Sequence, residues 1–461
     1  MTSITNNGNY FKKYKIVKEN DIHYKTEFEL HDVPLYIANS FRRALSSRIP
    51  VITFDDKFYE NQEMRSINIK KNTGVIHNEF LSHRLSLIPI NMNNSNLKIT
   101  TEFDKSKGIR TYSISENSPI FILKKKNENY NSNLEILSSD IVTTDIDDNN
   151  EYFTKDVFTG DYILINKLHY RESESEELDI ELKPTVGYGM INSRYDPTGT
   201  VTFSFKQDES QFKNILSKKI SYFEKEKQIK NNNPKLKLND DEIKNIEDNF
   251  KLLDKERVFL KNKNGEPSIF EMSVESIGFL YPDQIIHRSL FILKILLDDL
   301  LNSVDFDKNE IFINNKVGIN LVNNGSNNSG IVITIYDEDH TLGNLLGSEL
   351  RKLFFYGDEI LSNISYRMNH PTINEIELLI FPKKDFLENS NDKLKKLLNK
   401  NSINFQNDIK NKRLLFLLGS LLFVKTIKSC KKQIENLISD FKDVSQCEYL
   451  SKFEDLLVNK S

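Results

Sequence analysis

The chain has 461 residues, 38% of them hydrophobic, and a net charge of −4 from 63 basic and 67 acidic side chains. That length allows roughly three domains, and the near-balance of charge argues against a protein whose main affinity is for nucleic-acid phosphate. Cys430 and Cys447 make neither a disulfide framework nor a Cys-cluster zinc site, residues 1–15 lack the apolar run of a secretory signal, and the longest apolar run, Leu414 to Val424, is too short for a bilayer, so an intracellular protein without a membrane span is expected.

Residues 22–31 read as a strand, followed by an acidic turn at Asp32 and by Pro34 at a position suited to a first helical turn. Leu35, Ala38, Phe41 and Leu45 mark one face of the helix that follows, which ends near Ile49-Pro50 and carries Arg42, Arg43 and Arg48 elsewhere on its circumference. Residues 51–267 read as an inserted region of mixed α/β structure, interrupted by Asn-rich and acidic stretches. Its charged segment 206–255 reads as a helical or partly disordered excursion. From Phe270 the pattern tightens into a half-buried strand. A long helix opens at Pro282-Asp283, with Ile286, Leu290, Leu293, Leu297, Leu300 and Val304 stepping by four and three as in a coiled-coil seam of about 27 Å.

Residues 306–330 are polar and end in an Asn/Gly/Ser-rich run that reads as a linker. A second module then spans 331–461. It has a strand, the acidic run Asp337-Glu338-Asp339-His340, and a helix with Leu342, Leu345, Leu346, Leu350, Leu353 and Phe354 on one face. Acidic residues leading into a helix are stabilised by its positive N-terminal end, so capping accounts for that run without chemistry. After a polar insertion at 384–412, the last helix repeats a seam through Ile427, Cys430, Ile434, Leu437, Phe441 and Val444. Each half thus owns a seam, and the economical packing sets one against the other within the molecule.

The two strand–turn–helix units are related. Setting Asn39 on Asn344 also sets Ile37 on Leu342 and Leu45 on Leu350. The chain resembles the alpha-like assembly subunits of multisubunit DNA-directed RNA polymerases. Residues Asn39-Ser40-Phe41-Arg42-Arg43-Ala44-Leu45, the segment Asn72 to Ile90 with His83 and Arg84, the run Glu338 to Leu346, Tyr366 to Pro371, and more weakly Gly187 to Pro197 carry the resemblance. The N-terminal two thirds is similar to the third-subunit type and the C-terminal third to its small eleventh-subunit partner. Single-chain fusions of the two are a habit of large nucleocytoplasmic DNA viruses. Ser86 and Gly347 depart from the family pattern, and the inserted region lacks the Cys cluster with which many relatives bind a metal, so no metal and no cofactor is expected.

The resemblance implies an α+β fold. Residues 1–50 with 268–305, and 331–383 with the C-terminal helix, would form an intramolecular dimerisation core, from which the insertion at 51–267 projects. It implies an architectural function with no catalytic residues, in contact with the two largest polymerase subunits and a small subunit. DNA and RNA would be met only through the complex, and no homodimer would form. Asn39, Phe41, Arg42, Arg43, His83 and Arg84 are the expected subunit interface. Leu45, Leu290, Leu293, Leu297, Leu342, Asn344, Leu345, Leu346, Ile434, Leu437 and Phe441 are expected in the internal pairing. A virion or host-cytoplasm location follows if the source is viral. Read from the residues alone, Arg42 and Arg43 mark a solvated helix face and Lys124-Lys125-Lys126 and Lys218-Lys219 solvated surface, while His83-Arg84 fits an internal turn-fixing pair as well as an interface. A free-standing adaptor or transcription-factor tether is the alternative function. Without a Walker loop, a catalytic triad or a convincing carboxylate pair, phosphoryl transfer would belong to another chain.

Overall fold

The computed structural model describes residues 8–445 except 20–21, 58–65, 93–96, 116–117, 130–131, 145–151, 171–174, 235, 307–310, 325–327 and 384–410. Three antiparallel sheets of the described residues have four strands; one, ordered Ile67–Asn72, Glu177–Leu182, Phe121–Lys126, Val142–Thr143, lies in the insertion, and the other two organise the fold. The first of these two has the order Phe11–Glu19, Ile22–His31, Ile269–Ser276, Thr198–Phe205. The second has the order Val317–Asn324, Asn328–Tyr336, Glu375–Pro382, Leu361–Arg367. Numbered along the chain, both sheets run 1-2-4-3, with a helix after the second strand. In the first sheet that helix is α1 (Leu35–Ser47). A short helix, α2 (Asn78–Ser86), lies in the insertion. The expected insertion 51–267 includes strand 198–205, which belongs to the first sheet. Its hydrogen-bonding partner is strand 269–276, far along the chain, and no local pattern announces that pairing.

The segment between those two strands is a helical hairpin, α3 (Glu209–Lys230) and α4 (Asp240–Leu253). The long helix is α5 (Pro282–Asn302), and Val304 of its expected seam lies beyond it in strand Val304–Phe306. In the second sheet the helix is α6 (His340–Leu350). The expected linker 306–330 contains an edge strand, since Val317–Asn324 pairs with Asn328–Tyr336. One face of an antiparallel sheet can meet solvent, so polar residues suit this strand. The polar insertion 384–412 lies, up to residue 410, outside the described residues, and α7 (Asn411–Ser445) follows it.

Both strand-to-helix turns are built alike. Asp32 and Asp337, three residues before their helices, each have φ of 54°. Asp is among the few residues that tolerate this left-handed region. Pro34 takes the position before the first helical residue, in extended conformation.

The core lies between the sheets and helices α1, α5, α6 and α7. Leu290, Leu293, Leu297 and Leu300 of α5 are buried, as are Ile427, Cys430, Ile434, Leu437, Phe441 and Val444 of α7, and the two helices pack on each other. Ion pairs flank that contact, Lys431 to Asp298 at 2.5 Å and Lys294 to Glu435 at 3.7 Å, and their order shows that the helices run antiparallel. Phe441 also meets Phe11 at 5.1 Å between ring centroids, and Phe11 meets Phe28 and Phe41, so an aromatic cluster joins the first sheet, α1 and α7. Gly419 lets α7 approach strand 328–336, since a Cβ there would sit 2.7 Å from Ile331.

Candidate functional site

Helix α1 packs against α6, and a polar clamp seals the edge of their apolar contact. The N-cap of α6 is Asp339, which accepts from the backbone N–H of Thr341 at 2.9 Å. Arg43 donates to Asp339 and to the Thr341 hydroxyl, both at 2.8 Å. Arg48 donates to Glu338 at 3.0 Å and to Asp339 at 2.8 Å, and Lys316 lies 3.1 Å from Glu338. Arg48 and Glu338 are almost wholly buried. Burial by itself would raise the Asp339 carboxyl, but Arg48, the Thr341 contacts and Arg43 outweigh it and hold the group well below the usual carboxylate range. At the other end of the contact, the Tyr36 hydroxyl donates to Glu349, which also accepts from Ser429 at 2.6 Å and Gln433 at 3.0 Å of α7. Burial first, and then Glu349, push the Tyr36 hydroxyl up. Asp440 of α7 accepts from the backbone N–H groups of Asn9, Tyr10 and Phe11 at 2.6, 2.8 and 2.9 Å.

The expected residues divide accordingly. Leu45, Leu342, Leu345 and Leu346 are buried in this contact region, with Leu290, Leu293, Leu297, Ile434, Leu437 and Phe441 in the adjoining helix pair. Asn344 is only partly buried, and its amide oxygen accepts from Ser348 of its own helix at 3.2 Å. Asn39 likewise accepts from Arg42 at 3.1 Å within α1. Phe41 cannot meet another subunit: it is fully buried, because helical spacing places it with Ile37, Ala38 and Leu45. Arg43 turns into the clamp. Arg84 donates to the carbonyls of Ile165 and Leu164 at 2.9 and 2.6 Å, which ties α2 to strand Leu164–Leu168 within the chain. Arg48 was legible only as one more cation on the helix. Its acidic partners lie 290 positions on, beyond any local pattern. The weak match at Gly187 to Met190 acquires a reason here, as the Met190 N–H closes the α1 C-terminus on the Ser47 carbonyl at 2.9 Å.

A second face is open. Along Asn72 to Ile90, Leu81, Leu85, Ile88 and Ile90 are buried, whereas Val75, Phe80 and Leu87 are 68%, 69% and 64% exposed. Asn72 shapes the turn, accepting from the Gly74 N–H at 3.0 Å and donating to the Ile76 carbonyl at 2.9 Å. The departure at Ser86 does not disturb α2, whose last residue it is. Its hydroxyl donates to the His83 carbonyl at 2.8 Å. His83 is exposed, 3.3 Å from Asp56, which also pairs with Arg194. Among the ion pairs of the described residues none includes Arg42. Burial, and then the charge of Arg43, shift its guanidinium below its ordinary pKa. Three large apolar side chains on one exposed segment mark an interaction surface more than single exposed residues do. Lys124, Lys125 and Lys126 are engaged with Asp179, Asp140 and Glu128.

Among the described residues, no group of three or more His, Cys, Asp or Glu is placed to hold a metal ion, and no helix is long and apolar enough to cross a membrane.

Comparison with known proteins agrees with the repeated sheet and helix. The family model of the RNA polymerase Rpb3/Rpb11 dimerisation domain matches residues 27–297, more than half of the chain, and a second model of that description matches residues 330–411. The chain is 25% identical over 313 residues to subunit 3 of DNA-directed RNA polymerases II, IV and V of Arabidopsis thaliana, covering 64% of this chain and 92% of that protein. It is 26% identical over 274 residues to the polymerase subunit Rpo3 of Methanosphaera stadtmanae, covering 58% and 90%. It is 25% identical over 282 residues to RNA polymerase II subunit RPB3 of Schizosaccharomyces pombe, covering 60% and 83%. With the family domain matched twice, once around each sheet, this chain belongs to the Rpb3/Rpb11 family of alpha-like RNA polymerase subunits.

Proposed function

We propose that the chain is a non-catalytic assembly scaffold of a DNA-directed RNA polymerase in which one polypeptide fills both alpha-like places and holds the two largest subunits. The observation that carries this reading is the repetition of one sheet-and-helix unit, with α1 facing α6 and α5 facing α7 inside a single chain. Pairing within one chain raises the effective concentration of the two halves. The face with Val75, Phe80 and Leu87, together with His83 and the acid-free Arg42, is the proposed seat of the large subunits. A small polymerase subunit is a further proposed neighbour, and nucleic acid is met only through the complex. The viral source, with its virion or host-cytoplasm location, belongs to the same proposal and rests on the fusion and the composition.

The test is affinity purification of the tagged chain from its native source at high salt, with mass spectrometry of what remains. Two large polymerase subunits at one-to-one-to-one, with no separate small alpha-like protein, is the expected outcome. Recovery of the chain alone, or with a second alpha-like protein, would remove the scaffold reading.

A further inference from the structure

Neither sheet absorbs the helical hairpin of α3 and α4. Helix α3 is 22 residues long and buries none of its side chains. Phe212 packs on Phe250 of α4 with ring centroids 4.8 Å apart, and ion pairs of Lys219 with Asp254 and of Lys227 with Glu242 hold the two helices together. A different set of residues lies beside that contact. Ile215, Tyr222 and Ile229 recur every seven residues, so they share one side of the helix over about 21 Å. They are 38%, 65% and 76% exposed. A single exposed apolar residue needs no explanation, but an exposed stripe at heptad spacing does.

A groove of about 500 Å³ opens beside the stripe, with Ile215, Tyr222, Phe223, Phe250 and Val258 in its wall. Its charged lining is uneven. Lys218, Lys219 and Arg257 face one carboxylate, Asp254, which Lys219 and Arg257 both already engage. Neither Lys218 nor Lys225, one turn on from Ile215 and Tyr222 respectively, takes part in an ion pair among the described residues. The surface therefore offers apolar contacts at a helical period beside uncompensated positive charge.

We propose that this face docks an amphipathic helix of a partner protein, with apolar residues at heptad spacing and Asp or Glu on its flanks. A helix keeps register with a seven-residue repeat, whereas an extended strand, alternating every two residues, does not. The lysines select acidic flanks. A polyphosphate would engage the lysines but leave the apolar stripe uncovered.

The full chain is titrated, by fluorescence anisotropy, into a labelled synthetic three-heptad helix with Leu in its seam and Glu on its flanks, and into the same helix with Lys flanks. The Glu-flanked helix is expected to bind, at least tenfold more tightly than its Lys counterpart. Binding should weaken tenfold or more in Tyr222→Ala with Ile229→Ala, and again in Lys218→Glu with Lys225→Glu. All four positions are on the surface, and circular dichroism should be unchanged in both variants. No binding, equal binding of the two helices, tighter binding of a single-stranded DNA oligonucleotide, or indifference to both variants would each overturn the proposal. None of these outcomes depends on polymerase assembly.

Discussion

Arg48 is the residue on which the polar clamp turns. It is buried between two carboxylates of the second unit, and removing one member of a buried ion pair strands the others without compensation. Arg48→Ala is expected to cost about 3 kcal/mol, read as a lowered midpoint in urea unfolding. Arg42→Glu, at a site outside the clamp, should leave that midpoint close to wild type and instead weaken capture of the large subunits. Glu29 makes a pH-dependent contribution in the first sheet. Lys206 at 2.6 Å, with Lys13 and His31 at 2.9 Å, surround it. Burial opposes its ionisation, but these partners prevail and lower its pKa from 4.5 to about 2. A folded-state pKa below the unfolded one adds stability that is complete above about 4.5 and disappears as pH falls towards 2. Glu29→Gln should therefore be less stable than wild type at neutral pH, and the gap should close on acidification through that window, as followed by urea unfolding at several pH values.

At the scale of elements, the helices with long apolar seams announced themselves and the sheets did so only in part. The seams of α5 and α7 are contiguous in sequence, and a period near 3.5 is a local property, so both were legible. Strand 198–205 was not, because its neighbour in the sheet is reached only after the helical hairpin. Strand 317–324 hid for a different reason: asparagine has low strand propensity, and only pairing with 328–336 makes it a strand. The junction of α7 with the N-terminal strand is equally non-local. Asp440→Asn removes the charged acceptor from three backbone N–H groups and should speed amide hydrogen exchange at Asn9, Tyr10 and Phe11, with little change elsewhere. Phe41→Ala, which removes one ring of the aromatic cluster, is expected to cost about 3–5 kcal/mol, again read from denaturant unfolding. A small effect there would place Phe41 outside the core.

For the whole molecule, pairing within one chain makes a prediction that a two-chain assembly does not. The unfolding midpoint should be independent of protein concentration, and light scattering should give the mass of one chain. A midpoint that rises with concentration would mean pairing between chains. Phe80→Asp with Leu87→Asp should preserve that fold, since both side chains face solvent, while reducing recovery of the large polymerase subunits. Loss of the fold instead would return α2 to a structural role.

Read along its length, the chain by itself specifies two related units, their helical seams and the acidic turn before the first helix of each, because periodicity, turn chemistry and self-similarity are written locally. Only tertiary packing decides which way each cation points. Arg42, Arg43 and Arg48 share one helix. Arg43 and Arg48 meet Asp339 or Glu338 some 290 positions away, while Arg42 meets only its own helix among the described contacts. A helix face in sequence is a direction without a destination, and the destination exists only once the second unit has docked.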